Sequence, residues 1–438
     1  MSILGLELRR SAAAGAALLA LAVGVAALYL IPGRWSEGWM PLVLTSKEYL
    51  ILLWPLALAA GAWQGRREHR AKVGELFATT PRSRARRMLP VLVAMGATLG
   101  LAYLLVLVAG GVRIASTASY FPPDVVVIVL VGVLSLVAAA WLGLGLGRLL
   151  PALVTAPVLA VAGVLLVFFT AIMRPWWLGA VLSPVYGSSM WYPFQTIDSG
   201  VTGALAIWMG GLALAGVLLL VGGSPRARVA AVLPVLLGLG VATAIVPRDK
   251  DALLAPVDPV ARELVCTDDA PKVCVTRVHA NVLESVTPLA REGLAVLAKL
   301  PGAPTEVHEY ARAIDEENPA VRDDVVVINV RIDDRGGLAL PDVVVLEVVS
   351  GLGVGYTGDC PRDPAVERAA AYHLLGREPV SDLELYPEMI WEEPELNAEA
   401  VALWQDLQEL PPAEALSRVA AVRAAILACQ DSTGLLSR

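Results

Sequence analysis

A chain of 438 residues that is 56% hydrophobic, with a mean hydropathy of +0.64, exceeds the roughly 45–50% apolar content of soluble domains. Its net charge of −7 hides two bodies of opposite sign: residues 1–246 carry 17 basic and 7 acidic side chains, a net of +10, and residues 247–438 carry 17 and 34, a net of −17. A single soluble domain is excluded, and the overall isoelectric point describes neither half.

The first half holds seven apolar runs, about 11–31, 49–64, 89–111, 125–143, 152–172, 201–222 and 229–246, against a need of roughly 20 residues per helical span. The second and seventh are the shortest. No soluble core could bury seven in succession, so they are expected to be transmembrane helices. The first run is long for a signal peptide, and no clear small-residue cleavage site follows it.

Between the second and third runs lies "GRREHRAKVGELFATTPRSRARR", Gly65–Arg87, in which eight basic residues face only Glu68 and Glu75. Such a cluster suits nucleic-acid phosphates or the cytoplasmic side of a membrane. Its apolar neighbours favour the membrane. Arg9 and Arg10 precede the first run, Arg148 follows the fourth, and Arg226 and Arg228 follow the sixth. The intervening loops carry only Arg34 and Lys47, then Arg113, then Arg174. This alternation predicts a cytoplasmic N-terminus and, after seven spans, an outside C-terminal body. Within the basic stretch, "HRAKVGELFATTP" reads as a short amphipathic helix. Val73, Leu76 and Phe77 are spaced i, i+3, i+4, and Pro81 stops it. It could lie on anionic headgroups or dock a cytoplasmic partner. "GLGLGR", Gly143–Arg148, reads as glycine punctuation at a span end, without the Lys-Ser/Thr of a phosphate loop. Between the fifth and sixth runs, Trp176, Trp177, Tyr186, Trp191 and Tyr192 suit a membrane interface, each an apolar ring with a polar edge.

All four cysteines, Cys266, Cys274, Cys360 and Cys429, fall after residue 265, as expected of disulfides in an exported body. Cys266–Cys274 with Cys360–Cys429 is the favoured pairing of the three that four cysteines allow. In this body "VCVTRV", "TEVHEYAR" and "DDVVVINVRI" read as strands, while "ANVLESVTPLAREGLAVLAKL", "DPAVERAAAYHLLG", "NAEAVALWQDLQEL" and "AEALSRVAAVRAAILAC" have helical periodicity. The expected product is an α+β or α/β domain over 247–438. His308 and Glu309 supply only the first two letters of H-E-x-x-H. "GVGYTG", Gly353–Gly358, is followed at once by Cys360 and Pro361 and reads as a tight glycine loop rather than a dinucleotide site. Thus no metal and no catalytic set is expected in this chain.

The basic stretch resembles the loop after the second span of ABC-2-type ABC transporter permeases. There an Arg-rich segment, a G-E-L-like turn, small residues and P-x-S/T-R precede the third span. The matching positions are Arg66, Arg67, Gly74, Glu75, Leu76, Pro81 and Arg84. The resemblance covers residues 1–222 as a six-span core, with the coupling loop at 64–88. A seventh span at 223–246 and the outside domain depart from it, in a form similar to actinobacterial permeases. In the family this loop forms a coupling helix in a groove of the ATPase. The resemblance therefore implies that Arg70, Lys72, Val73, Gly74, Glu75, Leu76, Phe77, Pro81 and Arg84 meet a separate ABC ATPase subunit, which holds ATP and Mg²⁺. No G-x-x-x-x-G-K-[ST] occurs in this chain. A second permease copy or a related permease is implied as well, in the bilayer of the cell membrane, and the activity expected is export. The rival readings are a membrane-anchored sensor whose outside domain binds a ligand, and a membrane peptidase.

Overall fold

The computed structural model describes residues 12–71, 83–186, 192–222, 224–249, 253, 256–313, 316, 322–354, 360–386 and 394–437. Its contacts divide the chain into two units, Met1–Asp258 and Pro259–Arg438.

The first unit is helical. In chain order it contains α1 (Ala12–Leu30), α2 (Trp39–Glu48), α3 (Leu50–Gly65), α4 (Arg67–Arg70), α5 (Arg84–Ile114), α6 (Asp124–Leu149), α7 (Thr155–Ile172), α8 (Trp176–Leu182), α9 (Ser199–Val221), α10 (Pro225–Ala230) and α11 (Val232–Ile245). Among the described residues, α1, α5, α6, α7, α9 and the stretch Pro225–Ile245 are each long and apolar enough to cross a membrane. A seventh candidate is the pair Trp39–Glu48 and Leu50–Arg70, bent by 47° at the break between them.

That bent pair extends the expected second span. The sequence reading began it at residue 49, because Thr45, Ser46, Lys47 and Glu48 look unlike a membrane helix. In the structure, Met40 to Lys47 are buried without interruption, so α2 is enclosed on all sides. Three of its four polar residues find partners there. The Thr45 hydroxyl donates to the Arg34 carbonyl, Glu48 pairs with Arg34 at 2.7 Å, and the Lys47 amine donates to the Tyr186 carbonyl.

The helices alternate in direction. Thr98 on α5 lies by Ala13, and Gly24 on α1 lies against Val106, so α1 and α5 run parallel. Gly96 and Gly100 of α5 meet Trp141 and Val133 of α6, an antiparallel order. At the centre, α6 packs between α3 and α9. Gly61 and Gly65 rest on the α6 main chain at Ala140 and Leu144, while Gly143 and Gly147 rest on the α3 main chain at Leu58 and Ala62. Gly145 meets Gly216 of α9. A Cβ at any of these five would lie closer than the 3.0 Å that real Cβ atoms keep, with a main-chain carbonyl in the way. "GLGLGR" is therefore helix interior rather than punctuation. Positions i and i+4 share one helix face and i+2 lies on the other side, so the repeat gives α6 two surfaces of close approach. On the outside of the bundle, Leu18 and Leu19, Leu165 and Phe168, and Leu233 and Leu236 are exposed, as suits side chains that face lipid.

The second unit is built on a four-stranded sheet in the order β1 (Leu264–Cys266), β2 (Lys272–Thr276), β3 (Glu306–Glu309) and β4 (Val325–Ile328). β1 is antiparallel to β2, with Cys266 opposite Cys274, and β2, β3 and β4 are parallel. Both disulfides, Cys266–Cys274 and Cys360–Cys429, are formed. The helices are α12 (Leu283–Leu297), α13 (Pro341–Val349), α14 (Pro364–Leu375), α15 (Asp382–Leu385), α16 (Pro394–Gln408) and α17 (Pro412–Leu427). The three strands and four helices expected from sequence are all present. β1, α13 and the short α15 are additional, and α13 is a Val-rich run whose β-branched residues give no helical signal.

One buried cation fastens this unit. Arg423 on α17 donates from Nε to the Leu352 carbonyl at 3.1 Å, from Nη2 to Asp323 at 3.2 Å and from Nη1 to Pro301 at 3.5 Å. These bonds hold three loops, including a left-handed turn at Gly351, Leu352 and Gly353 with φ of 57°, 55° and 72°. Leucine pays a steric penalty in this region, so something must over-determine the turn. Arg423→Met is expected to destabilise the unit by about 3 kcal/mol, the scale of losing charge-assisted bonds that leave carbonyls unmet. Denaturant-dependent proteolysis of the full chain measures it.

Candidate functional site

At one end of the bundle the basic residues of separate helices converge. α4 continues from α3 and carries Glu68, which pairs with Arg148 at the end of α6 at 3.2 Å. Arg66 donates to the Ala152 carbonyl before α7 at 3.3 Å, and its guanidinium stands 5.0 Å from the Trp63 ring. Arg70 lies over the same ring at 5.3 Å. Arg84, the first residue of α5, donates to the Gly222 carbonyl after α9 at 3.4 Å. Arg84, Arg87 and Arg228 all lie near enough to act electrostatically on Arg148. The two flanks of the basic stretch are thus both anchored at this end, one by α4 and one by α5. Of the expected coupling residues, Arg70 and Arg84 are placed here. Lys72, Val73, Gly74, Glu75, Leu76, Phe77 and Pro81 lie outside the described residues.

The opposite end gathers aromatic rings. Arg174 stacks on Trp176, and the Arg248 guanidinium lies 3.6 Å from the Trp177 ring centre. Tyr192 stacks on Phe194 at 5.2 Å. Trp177 and Tyr186 pack against the bundle core, whereas Trp176 is the exposed ring. Trp191 lies outside the described residues. The sequence reading missed companions at the same end. Tyr29 and Trp35 meet edge to face at 5.5 Å beneath Arg113, and Trp39 meets Phe121 in the same way. Their legible signal is that each ring sits within a few residues of a span end.

Lys47 is buried in α2 at 3% exposure. Its recorded partner is the Tyr186 carbonyl, with no carboxylate beside it among the described residues. An amine so enclosed is costly to keep charged.

In the second unit, polar groups collect at the carboxyl ends of the parallel strands, where open α/β sheets place their ligands. Glu309 ends β3. Its Oε2 accepts from the Thr276 backbone N–H at 2.6 Å and the Thr276 hydroxyl at 3.0 Å, and its Oε1 lies 2.5 Å from His279 Nδ1. Both side chains are buried, so the carboxylate orients the imidazole and ties β2 to β3. After β4, Glu347 accepts from the Tyr386 hydroxyl at 2.5 Å and from the Asn329 N–H at 3.1 Å, with Arg331 over the Tyr386 ring. Burial, and then the Glu347 carboxylate, push the Tyr386 phenol well above its ordinary value. His308 pairs with Glu306 at 3.0 Å, so the two letters of "HEYAR" point their side chains to different partners.

Compared with family models, with curated proteins and with solved structures, the chain finds no match.

Proposed function

We propose that the chain is the membrane subunit of an ABC-type exporter, resembling ABC-2 permeases and powered by a separate ATPase that binds ATP and Mg²⁺. The observation that carries this reading is the basic stretch between the second and third apolar segments, whose flanks at Arg70 and Arg84 are anchored at the basic end of the bundle. A docking segment whose flanks are held here could pass a displacement to α3 and α5, and through the glycine contacts of α3 to α6. The bent α2–α3 pair supports transport as well, because broken helices mark transport paths. In this arrangement the N-terminus and the basic end are cytoplasmic, seven segments cross the cell membrane, and the disulfide-bonded unit lies outside. Two permease copies form the working assembly.

The test removes the acidic and apolar side chains expected to dock, Glu75, Leu76 and Phe77. Full-length chain purified from its native membrane is expected to bring with it an ATPase carrying G-x-x-x-x-G-K-[ST]. The triple variant Glu75→Ala, Leu76→Ala, Phe77→Ala should insert at the normal level, yet retain less than about a tenth of that ATPase. A loss of roughly 1.4 kcal/mol or more in docking suffices for this. Undiminished ATPase in the variant, or none with the unmodified chain, would refute the assignment.

A further inference from the structure

Beside the left-handed turn, the second unit holds a cleft of about 180 Å³ between α13, the start of α14 and α15. It falls below the roughly 300–1,000 Å³ of sites for drug-sized molecules. An occupant must be compact.

The walls carry charges of both signs, Arg368 against Glu367 and Asp382. Arg368 donates from Nη2 to Asp382 Oδ2 at 2.5 Å and from Nη1 to Asn397 at 3.2 Å. Glu367 receives the Arg362 guanidinium through both carboxylate oxygens. The Arg368 and Glu367 side chains are only 14% and 11% exposed. Leu346, Ala371 and Leu385 supply an apolar wall, and Ser350 a hydroxyl at the rim. Gly351 shapes the rim: its φ is +57°, and a Cβ there would lie 2.5 Å from Arg362 Nη2. The turn thus approaches the ion pair as only glycine allows.

Arg362, outside the lining, neutralises Glu367, so the charges left to the cleft are the balanced pair Arg368 and Asp382. A singly charged ligand would leave one charge uncompensated in a half-buried site, which is costly. A molecule with a carboxylate and an ammonium a few ångströms apart leaves none. Among the described residues, the Arg368 Nε–H and Asp382 Oδ1 make no hydrogen bond in the structure, so each partner of the Arg368–Asp382 pair keeps capacity for a ligand. We propose that this cleft binds a zwitterion of α-amino-acid size with a small apolar side chain, its carboxylate on Arg368, its ammonium on Asp382 and its side chain against Leu346 and Leu385. The site is independent of the transport reading, and stands or falls by binding alone.

The experiment titrates full-length chain in detergent with L-leucine, N-acetyl-L-leucine and isoamylamine by calorimetry. The second probe lacks the cation and the third lacks the carboxylate. L-Leucine is expected to bind, and each analogue to bind at least about tenfold more weakly, the loss for one charge-assisted contact. Arg368→Gln and Asp382→Asn should each weaken L-leucine by a similar factor, with the melting temperature of each variant recorded beside it. The three-probe comparison needs no variant, so a variant that fails to fold leaves it intact. No binding by L-leucine, or equal binding by an analogue, would overturn the proposal and leave the two ion pairs as purely structural.

Discussion

Gly143→Val is expected to leave almost no folded chain in the membrane, and Gly61→Val to do the same. Each substitution drives a branched side chain into the main chain of the facing helix, at Leu58 in one case and Ala140 in the other. Ordinary overpacking costs about 1–3 kcal/mol, because neighbouring side chains rotate away. A carbonyl in a helix cannot rotate away. α3 and α6 must separate, and Gly65 and Gly147 lose their contact in the same movement. In lipid, helices gain nothing from hiding apolar surface from each other, so close packing is what holds them. The penalty therefore falls on the main source of association. Gly15→Val is the control, since nothing lies within 4 Å of a Cβ there. Detergent-solubilised yield and the monodisperse fraction by size exclusion report the result. Wild-type yield for Gly143→Val would show that α3 and α6 do not pack as described.

The second large effect concerns Cys360–Cys429, which closes a separation of 69 residues. By the chain-entropy relation, removing it releases about 4 kcal/mol of constraint from the unfolded chain. For a unit of this size, 1 kcal/mol corresponds to about 2–4 °C, so the Cys360→Ser, Cys429→Ser pair should lower its melting temperature by about 10 °C. Cys266–Cys274 separates its partners by only 8 residues, and joins strands already paired in the sheet. Its loss is expected to cost less, about 2.5 kcal/mol by the same relation. Melting followed by proteolysis, with and without reductant, orders the two. Equal losses, or no loss from the long loop, would contradict the assignment of stability.

The two ends of the bundle differed in how far they could be read. Arg66, Arg70, Arg84, Arg148 and Arg228 announce one end by charge alone, because the positive-inside rule acts on residue type and position along the chain. The rings at Tyr29, Trp35, Trp39 and Phe121 were passed over, because their grouping depends on which helix ends become neighbours. α2 was missed for a similar reason. Hydropathy penalises Thr45, Ser46, Lys47 and Glu48, and the partners of Thr45, Lys47 and Glu48, at Arg34 and Tyr186, lie outside the helix.

Local sequence is enough to show the division into an apolar basic half and a polar acidic half, the run of apolar segments, the location of the cysteines and the principal strands and helices of the second unit. Each follows from local composition or periodicity, which the chain carries wherever it folds. Tertiary structure decided what the glycines of α6 are for, where Lys47 ends, and which charges line the cleft beside Gly351. Gly143 and Gly145 look alike in a string, yet a helix turns one toward α3 and the other toward α9. Arg368 and Asp382 lie 14 residues apart, with nothing in their spacing to pair them. Contacts of this kind depend on the geometry between elements, and a one-dimensional pattern encodes them only through the fold it produces.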